Sequence, residues 1–135
     1  MSKHEKIFSL PVRVYFQDTD AGGVVYHSSY VNFMERSRTE WLRTFGHTNS
    51  SLMKDLGVAF VVRSLKLEYL RPAVLDDLVT VTSQVKEIGR SRLNIHQTVL
   101  RGEELLVEGE VSLVCVDLKA FKPVSVPEVL RKLWD

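Results

Sequence analysis

Tyr30, Phe33, Met34, Ser37, Trp41 and Phe45 recur at three- and four-residue spacings, which places them on one stripe of a helix at about 100° per residue. Arg36, Thr39 and Arg43 fall on the opposite side. A helix with so broad an apolar stripe must lie against another layer. Ser28 or Ser29 supplies a cap ahead of it, and Gly46 gives it a natural stop. A second short helix fits residues 51–56, closed by Gly57.

The layer it lies on is written in the rest of the chain. Residues 8–17 alternate, with Val12, Val14 and Phe16 on one side and Arg13, Tyr15 and Gln17 on the other. Four more strand-like runs follow the helix. Residues 58–70 are rich in Val, Leu, Phe and Tyr until Arg71-Pro72 interrupts them, since proline cannot donate to a ladder. Residues 78–88 set Val79, Val81 and Val85 against Thr80, Thr82, Gln84 and Lys86, and Gly89 ends them. Residues 91–101 set Leu93, Ile95 and Val99 against Arg92, Asn94, His96 and Thr98. After the Gly102-Glu103-Glu104 turn, residues 105–118 become apolar on both faces, as a central strand does. Pro127 opens a last helical turn over residues 128–134. The order predicts an α+β domain, one helix on one antiparallel sheet.

Composition narrows the classes. A chain of 135 residues with 44% hydrophobic and 26% charged residues reads as a single globular domain spanning residues 1–135. Eighteen basic against seventeen acidic side chains give a formal charge of +1, unlike the basic stripe of a nucleic-acid binder. The only cysteine, Cys115, allows no internal disulfide and sits in an apolar run that reads as buried. The start of the chain is polar, without an export-signal core, and no stretch approaches the ~18 apolar residues of a membrane span. The expected location is cytoplasmic. His4, His47 and His96 lack ligand-like spacing, so no metal is expected, and neither a P-loop nor a Gly-x-Ser-x-Gly elbow is present.

The chemistry concentrates in residues 18–30, where Asp18, Asp20, Gly22-Gly23, Tyr26 and His27 separate a strand from the long helix. A helix start offers free N–H groups and a positive dipole end. A carboxylate beside it can serve as base or nucleophile while those N–H groups hold a developing oxyanion. The plainer alternative is that both aspartates are ordinary turn formers. The ring of His27 suits positioning a water or thioester when neutral and stabilising an oxyanion when charged. Tyr26 either lines a pocket or packs.

The segment Asp18-Thr19-Asp20-Ala21-Gly22-Gly23-Val24-Val25-Tyr26-His27 resembles the signature of hot-dog-fold acyl-CoA thioesterases related to 4-hydroxybenzoyl-CoA thioesterase, and within them the Tol-Pal-associated bacterial branch. The resemblance extends to Glu68-Tyr69-Leu70-Arg71-Pro72-Ala73 and Val114-Cys115-Val116-Asp117. It implies a sheet wrapped around the central helix, with Asp20 as the catalytic carboxylate and Asp18 orienting the loop. It implies an amide at the helix start that polarises the thioester carbonyl, near Gly23 and His27. No cofactor is implied beyond the coenzyme A of the substrate. Arg90 and Arg92 are the implied phosphate contacts. Phe60 and Val61 are candidates for the acyl or pantetheine channel, with plain core as the alternative. A homodimer or homotetramer sharing its sites between chains is implied too.

Three readings compete with hydrolysis by Asp20. Another hot-dog branch uses a helical glutamate with a threonine one turn later, a spacing that Glu35 and Thr39 have, although the wheel puts them opposite the apolar stripe. A hot-dog hydratase or dehydratase would also use a carboxylate and a histidine, but its His-Pro loop is absent. A non-catalytic module serving the cell envelope or lipid synthesis is the third.

Overall fold

The computed structural model describes residues 6–134; the polar start of the chain, including His4, and the terminal Asp135 lie outside the described residues. The elements run β1 (Phe8–Arg13), α1 (His27–Thr44), α2 (Asn49–Ser51), β2 (Val58–Tyr69), β3 (Leu78–Ile88), β4 (Arg92–Arg101), β5 (Glu104–Asp117) and α3 (Glu128–Trp134). All strand pairs are antiparallel, in the order β1-β3-β4-β5-β2. The predicted α+β architecture is therefore present, with β3, β4 and β5 as a meander and β1 and β2 at its edges.

The stripe of α1 explains its seat. Tyr30, Phe33, Met34, Ser37 and Trp41 are all buried against the sheet. Each large apolar side chain removed from water in this way contributes about 1.5–3 kcal/mol before entropy is counted. The strands answer with period two: Val79, Val81 and Val85 on β3 and Leu93, Ile95 and Val99 on β4 are buried.

The core is divided. One apolar cluster joins Tyr30, Phe33 and Met34 to Val14, Val79 and Val99. The other joins Trp41 and Leu42 to Leu93, Leu113 and Trp134. Between them runs a buried polar band. The Ser37 hydroxyl lies 2.8 Å from that of Ser83, and the Gln97 amide donates to Ser83 Oγ at 2.8 Å and to the Met34 carbonyl at 3.0 Å. Arg38 donates to Gln97 Oε1 at 2.9 Å. Each buried polar atom in this band finds a partner, as burial demands.

Three boundaries differ from the sequence reading. The first strand stops at Arg13, and Phe16, expected inward, is 80% exposed. The cause is Asp18: its Oδ2 accepts the Tyr15 N–H at 2.8 Å and curls Phe16–Asp18 into a 3-10 turn. The helix starts at His27, so Ser28 and Ser29 lie inside its first turn rather than capping it, and Tyr26 at the cap position makes no side-chain cap bond. The second helix begins at Asn49 and widens over Leu52–Leu56 before Gly57, at φ 67°, closes it.

Candidate active site

Residues 18–27 form a miniature hairpin. Thr19 bridges Val25, Asp20 N–H donates to the Val24 carbonyl at 2.9 Å, and Gly23 N–H returns to the Asp20 carbonyl at 3.1 Å. Tyr26 N–H donates to the Asp18 carbonyl at 2.8 Å, which delivers the chain directly into α1. Both glycines have a reason. Gly23 has φ +81°, a conformation L side chains rarely adopt, and a Cβ at Gly22 would press on Asp20 Oδ1 at 3.3 Å. Asp20 is exposed at the hairpin tip; its Oδ1 accepts the Gly22 N–H at 2.8 Å, while Oδ2 carries no hydrogen bond among the described residues.

The two aspartates thus divide the work. Asp18 is buried and holds the turn, whereas Asp20 keeps one oxygen free. Of the N–H groups at the start of α1, those of His27 and Ser28 have no acceptor among the described residues. Those of Gly23, Val25 and Tyr26 are all used within the loop and its neighbour, so the expected donor role of Gly23 is not available in this geometry. The His27 ring is exposed and packs between Tyr26, at 4.3 Å between centroids, and Tyr69, at 6.4 Å. The Tyr69 hydroxyl donates to the His27 carbonyl. Tyr26 is turned outward against His27 and is absent from the adjoining groove of Val25, His27, Tyr30, Tyr69 and Arg71.

The remaining expected residues lie elsewhere. The hairpin is tied to the chain just before β3, through Leu75 N–H to the Gly23 carbonyl, whereas Arg90 and Arg92 follow the far end of that strand. Eleven residues of strand separate them, on the order of 30 Å. Both arginines are exposed. At this far end a cavity of about 420 Å³ lies between α1, the 49–56 segment, the start of β2 and α3. Phe60 is in its wall and meets Trp134 edge-on at 6.5 Å, whereas Val61 is not among the lining residues. Glu35 and Thr39, placed by the wheel on the solvated side, stand at this cavity together with Arg38. The hairpin and the two arginines therefore stand at opposite ends of β3, and the cavity runs beneath α1 from Val31 to Trp134.

Residues 14–133 match the model of the thioesterase-like superfamily. The chain belongs to that family. The acyl-CoA thioesterase YbgC of Haemophilus influenzae is 44% identical over 124 residues, 92% of this chain and 91% of that protein. The acyl-CoA thioester hydrolase YbgC of Escherichia coli is 46% identical over 123 residues, 90% of this chain and 91% of that one. The crystal structure of a probable thioesterase from Bartonella henselae superposes with a TM-score of 0.86 at 34% identity, covering 90% of this chain and 100% of that chain.

Four side chains of this thioesterase-superfamily domain escaped the sequence reading. Gln97 follows Leu93 and Ile95 at period two, so its buried position was available from the alternation. Arg38 lies four residues after Met34, at the border of the helical stripe. Tyr69 and Trp134 carry no local signal of their roles, because both depend on packing between distant segments.

Proposed function

We propose that the protein is an acyl-CoA thioesterase. Asp20 attacks the thioester carbonyl or activates a water to do so; the C–S bond breaks, coenzyme A leaves as a thiolate that takes up a proton, and water supplies the oxygen of the carboxylic acid. The observation that carries this reading is the free Oδ2 of Asp20 close in the fold to a helix start with two unclaimed N–H groups. An oxyanion donor of this kind is worth about 3 kcal/mol in comparable sites. The names of the YbgC relatives support the same reaction. Such a mechanism needs no metal or redox cofactor, and the cytoplasm is where acyl-CoA substrates are met. The Tol-Pal association is carried by the sequence resemblance alone.

The divided site supports a dimer. β2 is a twelve-residue edge strand, with Val62 52% and Leu65 38% exposed. A free edge of that length and character is a template for pairing. Antiparallel pairing of two β2 strands about a two-fold axis sets the Tyr69 end of one beside the Val58 end of the other. The Asp20–His27 hairpin then faces the partner's Phe60 and its cavity, which receives the acyl group, with Arg90 and Arg92 of the same partner near the coenzyme A phosphates. The test is release of free thiol from a panel of short, long and aromatic acyl-CoAs, run alongside sedimentation across a dilution series. Turnover should vanish together with the large species. A fully active monomer would overturn the shared site, and absence of thiol release from every acyl-CoA would overturn the reaction.

A further inference from the structure

The cavity at the far end of the sheet has an unusual chemical balance. Trp41, Leu52, Phe60 and Leu113 give it apolar walls suited to a methylene chain. The polar atoms buried along it are donors. Trp134 Nε1–H is buried and finds no acceptor among the described residues. Arg38 has five N–H donors, and among the described residues its one hydrogen bond goes to a neutral amide, Gln97 Oε1. Burial pushes the Arg38 pKa down, partly offset by the charge of Glu35. Glu35 itself is exposed, and no ion pair joins it to Arg38 among the described residues. At the mouth, Asn49 and Thr39 face each other at 3.5 Å.

A buried donor left without an acceptor costs about 1–3 kcal/mol, and a desolvated cation costs more. A plain alkyl chain in the cavity leaves the Trp134 N–H without an acceptor and the Arg38 guanidinium with only the neutral Gln97 oxygen among the described residues. A ligand ending in an anionic acceptor brings a charged partner to the cavity that both side chains line. The guanidinium is also fixed in place, since Gln97 is itself held by Ser83 and the Met34 carbonyl.

We propose that the cavity takes an acyl group whose far end is a carboxylate, the ω-carboxyacyl thioesters of dicarboxylic acids, with Arg38 and Trp134 as the donors that hold it. This specificity rests on the acyl-CoA reading above. Arg38 and Trp134 select the substrate without touching the reacting carbonyl.

The test compares adipoyl-CoA with hexanoyl-CoA, which have the same carbon count and differ only at the far end. For the wild type, kcat/KM should favour adipoyl-CoA by about tenfold or more, as sites built to hydrogen-bond a substrate group do. Trp134→Phe, which keeps an aromatic side chain and removes the N–H, should narrow that ratio severalfold. Arg38→Met should abolish or invert it, and Arg38→Lys should restore part of it. Equal or better turnover of hexanoyl-CoA by the wild type, with a ratio that Trp134→Phe does not move, would overturn the proposal. Tryptophan fluorescence with free adipate and free hexanoate tests the cavity independently of turnover. Adipate should perturb the wild type and not Arg38→Met. No difference between the two acids would overturn the proposal even if the enzyme is active, and failure to hydrolyse any acyl-CoA, with adipate still bound, would remove the reaction while keeping the site.

Discussion

The hydroxyl of Tyr69, at the end of β2, donates to the carbonyl of His27 at 3.2 Å, across 42 positions of chain. The same residue whose N–H lies unclaimed at the start of α1 is thereby anchored from its other end. Removing the hydroxyl in Tyr69→Phe keeps the ring packed against Tyr30 and frees the His27 peptide. One hydrogen bond of this kind is worth about 1 kcal/mol, so kcat should fall by about fivefold with KM little changed. Thiol-release kinetics measure it, with circular dichroism to confirm the fold. An unchanged kcat would reduce the contact to packing.

Asp20→Asn should lose about 10²–10⁴-fold in turnover while leaving the loop intact. The amide oxygen still accepts the Gly22 N–H, but the side chain is neither basic nor nucleophilic. His27→Ala should cost less, because the backbone N–H survives the substitution. Both are read by kcat against the wild type. Near-normal turnover in Asp20→Asn combined with its loss in Glu35→Gln would transfer the chemistry to the helix.

Gly109 lies where Met34 of α1 and Leu67 of β2 meet β5. A Cβ there would sit 2.5 Å from Leu67 Cδ2 and 3.2 Å from Met34 Cε. Gly109→Val should destabilise the fold by about 1–3 kcal/mol through overpacking. The denaturant midpoint should drop with the slope of the transition unchanged.

Acid should weaken one corner selectively. Burial raises the Asp77 pKa, but hydrogen bonds from Val74 N–H and Arg101 outweigh it and leave the carboxyl below its ordinary value. Glu104 is lowered as well, by Arg71 first and then Arg101. A carboxyl depressed on folding contributes stability above its unfolded pKa, near 4, and loses it as pH falls through the lower folded value. Asp77→Asn should therefore lower the melting temperature at neutral pH and flatten its decline below about pH 4. Equal slopes for the two proteins between neutral pH and strong acid would show the cluster to be indifferent.

The sequence made the layers legible because their signals are periodic. The stripe through Tyr30, Phe33, Met34 and Trp41 and the alternation of Val79, Val81 and Val85 each specify a buried face without reference to anything distant. The position of Asp20 beside a Gly-Gly turn was readable too, since Gly23 does adopt the positive φ its residue type suggests. Strand order was not. No local pattern says that β2 leaves its neighbour in sequence and pairs with β5, which is what makes it an edge strand. The end of β1 was missed because a single carboxylate, Asp18, overrode an alternation that otherwise continued. Arg38 was passed over because a charged residue on a stripe border looks like surface until the cavity beside it is seen.

The hydrogen bond from Gly22 makes the two oxygens of Asp20 inequivalent. A carboxylate free to spin presents either oxygen and loses any memory of which one reacted. Here one oxygen is clasped by the backbone and the other faces outward. Should the reaction pass through an anhydride that opens at the aspartyl carbon, the unclasped oxygen is the one that bonds the acyl carbon and leaves with it. A single turnover in isotopically heavy water would then set one heavy atom beside the light oxygen that the glycine turn holds.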